Sequence, residues 1–462
     1  MNNRAPSGHH LINLAACLGF VLVQLDVSIV NVGLQSLKTA YHASITDLEW
    51  VINAYALVFA ALLLSSGALT GRFGAKKVFI FGVSVFIAAS VACAFAPSIM
   101  TLNVMSAVQG VGGAFLVPSS LTILRIYNDD PKVRSGAVAM WAAAGAMALV
   151  AGPVIGGILI EYFGWKSIFL INFPLGLLCS FIILFYAPAK PIFPQHINLP
   201  SQILLALSLA LFTFLMTESG RYGWTSTLSV GIIAATVMAV LFFRYFEKRS
   251  AAPVIDEGIT GNTLIKSAVI IGFLCNLVFY GAVFIFSIFF QSQLQLSALE
   301  TGVAFIPMMA CTALINFSSK WFSWWFSIRT LSLFGSLISA AGFVYLMFIS
   351  HSWGPSELFI PMMLLGSGTS FAMPIMTNLI LSESSHQAAG SASALFNCAR
   401  QLGGVTGVAL FGLLLTIQGE STMFAGLKMI ALSATILTFF WMYLSYCRLP
   451  RRGLHTDNQA TT

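Results

Sequence analysis

The sequence predicts an all-α membrane protein: fourteen spanning helices, grouped as two six-helix bundles with two further spans inserted between them. Composition is the first reason. Hydrophobic residues make up 58% of the 462 and charged residues 8%, with a mean hydropathy of +0.89. A soluble globular protein carries about 25% charged residues. So apolar a chain cannot cover its own surface with polar groups and must use lipid as part of its solvent. The spacing of the apolar runs is the second reason, and an internal repeat is the third.

A spanning helix needs about 20 mostly apolar residues. On that basis the spans fall near 11–32, 49–70, 76–96, 99–124, 136–160, 167–187, 201–217, 228–246, 264–290, 299–320, 330–349, 357–381, 390–417 and 422–446. Leu11 to Val32 is too long for the apolar core of a signal peptide and has no small-residue cleavage site behind it, so it is expected to stay as the first span. Positive charge orients the chain. With both termini cytoplasmic and the spans alternating, seventeen of the 22 Lys and Arg fall on the cytoplasmic side. Lys38, Lys166, Arg221 and Lys428 fall outside, and Arg400 lies within a span. This bias accounts for the net charge of +7 without nucleic acid as a partner; the expected location is the plasma (inner) membrane.

The longest polar connections, near 188–200 and 247–263, bracket the seventh and eighth spans. They divide the chain into a six-helix bundle over 1–187, an insert of two spans with linkers over 188–257, and a second six-helix bundle over 258–462. Gly110, Gly112, Phe115 and Pro118 in span four recur as Gly366, Gly368, Phe371 and Pro374 in span twelve, 256 residues on. Span twelve is the fourth span of the second bundle once the insert is removed. Parallel repeats of this kind are a recurring transporter design, with the substrate site near the midplane. A repeat of this sort also points to a monomer.

The charges inside the spans carry the functional reading. Asp26 is the only acid well inside a span, in the run Gln24-Leu25-Asp26-Val27-Ser28-Ile29-Val30-Asn31-Val32. A carboxylate at that depth is costly and by default marks an ion, proton or cationic-substrate site. Apolar surroundings favour the neutral form of a carboxyl, which suits it to carry a proton reversibly. The bland alternative is a hydrogen-bonded acid that ties span one to a neighbour. Arg400, about ten residues into span thirteen, is the comparable cation, at roughly 15 Å depth by helical rise. It either pairs with Asp26 across the two bundles or satisfies itself on backbone carbonyls and water.

Other chemistries lack their residues. The seven cysteines are scattered through apolar segments without CxxC or His-Cys clustering, so no disulfide or metal is expected. The seven histidines lie in termini and loops, which argues against a membrane-embedded enzyme. There is no GxxxxGK[ST] phosphate loop for a nucleotide-driven pump and no filter motif for a channel. No cofactor is expected, and the proton gradient is the expected energy source.

Between spans two and three runs Gly67-Ala68-Leu69-Thr70-Gly71-Arg72-Phe73-Gly74-Ala75-Lys76-Lys77. Glycines let two helix ends approach closely, and the cations suit helix C-terminal carbonyls or acidic lipid headgroups. In span five, Gly145, Gly152 and Gly156 share one helical face, next to Gly157, and Pro153 permits a kink. Small-residue faces allow close packing in lipid. The first segment resembles the signature between spans two and three of the major facilitator superfamily. Span five resembles the antiporter motif of its drug exporters, and Leu25 to Val32 resembles the first-span motif of the fourteen-span drug:proton antiporter branch. Gly164 to Gly176, Thr217-Glu218-Ser219 with Gly223-Trp224, and Asn397 to Gly404 are similar to further motifs of that branch. Within it the pattern most resembles methylenomycin resistance exporters.

The resemblance implies a major-facilitator fold and export of antibiotics or other lipophilic toxic compounds, with inward proton flow as the drive and Asp26 as the protonatable switch. It implies that the span-five seam seals the leak path. The alternative in the same class is a proton-coupled transporter of a specific metabolite. Two departures stand out. The family's loop motif usually has an acid where Gly71 stands. It often has an arginine in span four, three residues before Gln109-Gly110, where this chain has Ser106. A substrate cavity is expected among Gln24, Asn31, Trp50, Tyr55, Gln109, Phe115, Trp141, Phe279 and Phe371, with lipid, protons and a small lipophilic substrate as partners.

Overall fold

The computed structural model describes residues 8–128, 130–188, 198–250, 257–350, 353–384, 389–416 and 423–451. Parts of the predicted connections (189–197 and 251–256), together with Asp129 and Glu420, lie outside these residues. The helices are α1 (Gly8–Tyr41), α2 (Ile45–Phe73), α3 (Ala75–Ala94), α4 (Ile99–Tyr127), α5 (Pro131–Phe163), α6 (Ser167–Leu170) and α7 (Asn172–Tyr186). Next come α8 (Leu199–Tyr222), α9 (Thr227–Arg249), α10 (Glu257–Gly261), α11 (Thr263–Ser292), α12 (Ala298–Ala304) and α13 (Ile306–Trp325). The last four are α14 (Ile328–Leu346), α15 (Pro355–Glu383), α16 (Ala389–Thr416) and α17 (Met423–Arg448). Fourteen stretches among the described residues are long and apolar enough to cross a membrane. Two predicted spans are interrupted: the sixth breaks between α6 and α7, and the tenth between α12 and α13.

Local sequence sets the helix ends. Ser44 caps α2 with a reciprocal pair, its Oγ accepting from the Asp47 amide at 3.2 Å while the Asp47 carboxylate accepts from the Ser44 amide at 2.9 Å. Such capping boxes satisfy two otherwise orphaned N–H groups. Asp130 followed by Pro131 starts α5, and Asn262 starts α11 by accepting from the amides of Leu264 and Ile265. Gly74 joins α2 to α3 at φ 89°, a conformation that L side chains rarely adopt.

The chain forms two compact units. The first comprises residues 1–210, 239–252 and 297–303, and the second 211–238, 253–296 and 304–462. The two inserted helices are therefore shared, with the middle of the insert belonging to the second unit. Along α9 most large apolar side chains are exposed, among them Val237, Met238, Leu241 and Phe242, as a helix facing lipid requires.

In the first unit α1 packs on α5, α7 and α4, while α4 also receives α2 and α3. In the second unit α11 packs on α16, α15 and α17, while α15 also receives α13 and α14. Counting within each bundle, first meets fifth, and second and third both meet fourth. The repeated glycines occupy matching contacts. A Cβ on Gly110 would lie 2.5 Å from the Tyr55 carbonyl of α2, and one on Gly366 would strike the Met308 carbonyl of α13. Gly112 stands against Gly82 and Phe86 of α3, and Gly368 against Gly335 and Ser339 of α14. The sequence repeat is thus a repeat of helix-packing sites, the second and third helices closing on the fourth where no side chain intervenes. Gly110→Ala and Gly366→Ala are expected to destabilise by comparable amounts, about 1–3 kcal/mol each from overpacking. Thermal unfolding of the detergent-solubilised variants checks this, and a neutral result at either glycine would break the equivalence.

Lys76 has a definite structural task in the first unit. Its Nζ donates to the carbonyls of Leu184 at 2.9 Å and Ala187 at 2.6 Å, closing the C-terminus of α7. Cations are favourable at that end of a helix. Lys76→Met is expected to lower stability by about 1–2 kcal/mol, since each hydrogen bond contributes about 1 kcal/mol net. Lys76→Arg should recover part of the loss in the same melting assay.

Candidate functional site

Asp26 lies midway along α1, 3% exposed, where α1 passes through the centre of the first unit. Its Oδ1 accepts two hydrogen bonds: from Gln109 Nε2 of α4 at 2.8 Å and from Asn172 Nδ2 of α7 at 2.7 Å. Both amides also donate to Ser90 Oγ of α3, at 3.2 and 2.9 Å. The Ser90 hydroxyl in turn donates to the Phe169 carbonyl of α6 at 2.9 Å. Gln109, Ser90 and Asn172 are all buried. One carboxyl thus ties together four spans through neutral groups.

The chain reaches this geometry by local means. Gly164, at φ 77°, ends α5 and turns the chain. Ser167 Oγ donates to the Leu159 and Gly164 carbonyls at 2.9 and 2.6 Å, fastening that turn. Tyr41 OH donates to the Ala96 carbonyl at 2.8 Å, and its ring meets Trp165 edge-on at 5.6 Å. These contacts hold the ends of α1, α3 and α5 together and feed Asn172 inward at the first position of α7. Ser106, where the resemblance leads one to expect an arginine three residues before Gln109, lies 3.8 Å from the Cys93 thiol and is buried. Neutral amides from α4 and α7 meet the acid instead.

The neighbouring glycine seam is organised around the same helix. A Cβ on Gly145 would collide with the Phe20 ring, one on Gly152 with Ser28 Oγ, and one on Gly156 with Ile29. The three glycines expected to share a face do so, and that face lies on α1 beside Asp26. Gly157 points elsewhere, toward Ala298 and Leu299, and Gly302 stands on the Pro153 carbonyl. Trp141 stacks on Phe20 at 3.8 Å and donates to Ser120 Oγ at 3.0 Å. In the loop motif, a Cβ on Gly67 would meet nothing within 4 Å among the described residues. Arg72 lies over the Phe73 ring at 5.7 Å, Lys77 is exposed, and Gly71 is half-buried inside the end of α2.

The remaining expected residues are dispersed. Asn31 is buried and donates to its own helix at the Val27 carbonyl, 2.9 Å, and Gln24 and Trp50 are half-buried. Tyr55 sits in the core of the first unit beside Phe59 and Phe86, and half-buried Phe115 meets Phe81 edge-on. In the second unit Phe279 is buried against Tyr280, and Phe371 packs between Phe322 and Phe334. Arg400 is half-buried. Its Nη1 donates to Asn397 Oδ1 at 3.3 Å, its guanidinium lies 5.8 Å from the Phe396 ring, and its buried Nε has no partner among the described residues. Asp26 is also not the only deeply buried acid: Glu49, near the start of α2, is 2% exposed. Glu49 lies close to a helix end, where depth within the span does not single it out.

Sequence reasoning singled out Asp26 and Gln109 but missed Ser90 and Asn172. The signal was present for Asn172. A primary amide in the apolar run Ile168 to Leu178 costs several kcal/mol if unpaired, the same logic that singled out the acid.

Three comparisons place the chain among known proteins. The family described as the Major Facilitator Superfamily matches residues 16–408. The chain is 31% identical over 440 residues to the methylenomycin A resistance protein of Bacillus subtilis (strain 168), covering 94% of each chain. It is 28% identical to the tetracenomycin C resistance and export protein of Streptomyces glaucescens, over 87% of this chain and 75% of that one. Among solved structures, the D-xylose–proton symporter superposes with a TM-score of 0.69 at 15% identity, over 96% of this chain and 98% of that one. At that identity the likeness is one of fold.

Proposed function

The chain belongs to the major facilitator superfamily, and on that premise we propose that it exports antibiotics or other lipophilic toxic compounds in exchange for protons. It is a multi-pass integral membrane protein and a transporter by family. The export reading draws on relatives described as resistance proteins and on the residues around Asp26.

The observation that carries the proton role is the company Asp26 keeps. Its Oδ1 receives two hydrogen bonds, both from neutral amides. An ionised carboxylate there gains donors but no countercharge from either, and an unpaired buried charge costs several kcal/mol. A proton or a cationic group of the substrate removes that cost. Competition between the two for Asp26 couples their movements: a proton taken up on one side releases substrate, and substrate binding on the other releases the proton. Alternating access of the two bundles then converts competition into exchange, with the α1–α5 seam as the packed element that moves with Asp26. Gln24 and Trp141, half-buried near this stretch of chain, are assigned to the substrate path. Arg400 is assigned to the same cycle in the second bundle. Both termini are assigned to the cytoplasm from the charge bias.

Everted membrane vesicles carrying the protein test the reading. Proton-driven accumulation of at least one compound from a lipophilic antibiotic panel, abolished by a protonophore, is the expected result. Accumulation that survives collapse of the proton gradient, or none across the panel, overturns it. Arg400→Gln in the same vesicles is expected to lower transport at least fivefold, and unchanged transport removes Arg400 from the cycle.

A further inference from the structure

We propose that the second unit binds one anionic phospholipid, whose phosphate bridges Arg329 and Arg451 in a pocket between the start of α14 and the end of α17. The site belongs to the second unit alone and stands whether or not Asp26 carries protons.

Ser327, Arg329, Thr330, Leu333, Tyr446 and Arg451 line a cavity of about 410 Å³. Small-ligand sites span about 300–1,000 Å³. Two guanidinium groups face this space, and no acid is among its lining residues. The Arg329 guanidinium lies 4.1 Å from the centre of the Tyr446 ring, a cation–π contact that holds the group without spending its N–H donors. Among the described residues neither arginine finds a carboxylate or carbonyl to donate to. The Ser327 and Thr330 hydroxyls lie 2.9 Å apart, and Ser327 Oγ also accepts from the Thr330 amide at 3.1 Å. Each hydroxyl has one hydrogen. One serves the pair, and the other is left for an acceptor from outside. The pocket thus offers donors of like charge and supplies no anion of its own. Two such charges repel, and an anion between them replaces repulsion with attraction. Phosphate suits this place best, because its oxygens match the planar fork of a guanidinium.

The surroundings favour a phosphate carried by lipid. Trp324 and Trp325, just before Ser327, are exposed, as is Tyr446. Exposed Trp and Tyr on spanning helices sit at the level of the headgroups. α14 and α17 pack on each other, and each runs an exposed strip away from the pocket. On α14 it is Thr330, Phe334 and Leu337, spaced four and three residues apart along one helical face. On α17 it is Tyr446, Tyr443, Phe439 and Ile436, again along one face. A headgroup held by the two arginines has apolar side chains beneath it for its acyl chains.

The first unit performs the same join without help. Lys76 is the second residue of α3, and its Nζ ends on the Leu184 and Ala187 carbonyls at the close of α7. Arg329 is the second residue of α14 and lies over Tyr446 in the last turns of α17. Counting within each bundle, a cation at the start of the third helix meets the end of the sixth. Lys76 spends its donors on the backbone there, while Arg329 and Arg451 keep theirs for the lipid phosphate.

Native mass spectrometry of the purified full chain in detergent tests the site. Wild-type protein is expected to retain one dioleoyl phosphatidylglycerol far more tightly than dioleoyl phosphatidylcholine. Arg329→Gln and Arg451→Gln should each weaken that binding about tenfold, as loss of a charge-assisted hydrogen bond does. Arg329→Lys, which keeps the charge and loses the fork, should fall between Arg329→Gln and wild type. Arg448→Gln removes an exposed cation nearby that does not line the pocket, and it should bind like wild type. Arg451 is exposed just beyond α17, so its variant decides the matter if Arg329→Gln fails to fold. Equal retention of the two lipids, or an equal loss in Arg448→Gln, reduces the binding to general charge attraction and overturns the proposal. Unchanged affinity in Arg451→Gln also overturns it. Inorganic phosphate that displaces the lipid at equal concentration overturns the lipid as occupant, because the apolar strips would then contribute nothing.

Discussion

Asp26→Asn is expected to abolish proton-driven transport, with a loss of at least a hundredfold in initial rate in everted vesicles. Asparagine matches aspartate in size and keeps an acceptor oxygen for Gln109 and Asn172, so the packing of α1 survives the change. What it cannot do is bind and release a proton. The protein should fold and reach the membrane at near wild-type levels, and a melting curve within a few degrees of wild type confirms that the loss is chemical. Asp26→Glu keeps the proton but pushes the carboxyl one methylene further into a site where Ser90, Gln109 and Asn172 are all buried. It should retain a measurable fraction of driven transport, about a tenth or less. Asparagine variants with driven transport within twofold of wild type would remove Asp26 from the coupling step.

The second large effect is expected at Gly152. A Cβ there overlaps Ser28 Oγ, two residues from Asp26 on the same helix. Ser28 cannot simply turn away, because its hydroxyl is bound to the Leu25 and Gln24 carbonyls of its own helix at 3.0 and 3.2 Å. A valine at 152 must therefore separate α5 from α1. Overpacking of this kind costs about 1–3 kcal/mol, and the displacement falls beside the acid rather than in an inert part of the core. Gly152→Val should lower the unfolding midpoint and reduce driven transport at least tenfold. Gly67→Ala is the contrasting substitution for stability. Among the described residues nothing lies within 4 Å of a Cβ at Gly67, and alanine is about 1 kcal/mol better than glycine inside a helix. Its melting temperature should stay level or rise. Equal destabilisation at both positions would mean that the helix-on-helix approach at Gly152 has no special place in the fold.

Most of the fold could be read from the chain itself, and for physical reasons. Lipid leaves little choice of architecture: backbone groups must be satisfied internally, so a long apolar run becomes a helix. That is why fourteen spans and their approximate ends follow from composition alone. The repeated Gly110 and Gly366 could be matched by spacing, and their contacts with the second helix of each unit give the reason for the match. The breaks inside spans six and ten were not legible. Hydropathy runs across Ile171 and Phe305 without interruption; the one local sign is Pro307, in the first turn of α13, a residue type that favours a helix start.

The site was half legible. Asp26 announces itself because a charge in hydrocarbon has one ready explanation. Its partners do not, because serine and amide side chains in spans commonly bond their own helix, as Asn31 and Ser28 do here. Nothing in the one-dimensional pattern separates Ser90 from Ser119, which is equally buried but bonds the Phe115 and Leu116 carbonyls. Distinguishing them takes the convergence of four helices on one oxygen. The absence of an arginine at Ser106 was visible, and its consequence was not: the acid is met by two neutral amide donors, from α4 and α7.

The central claim is that movement of a lipophilic compound and movement of a proton pass through Asp26 together. The most direct measurement uses proteoliposomes holding purified protein and a trapped pH indicator, with no other transporter present. A compound found to be transported is added at zero initial pH gradient, and the internal pH is followed as the compound moves down its own gradient. Opposed proton flow that vanishes in Asp26→Asn is the predicted result. Compound movement with no change in internal pH, or the same pH change in the asparagine variant, would contradict it.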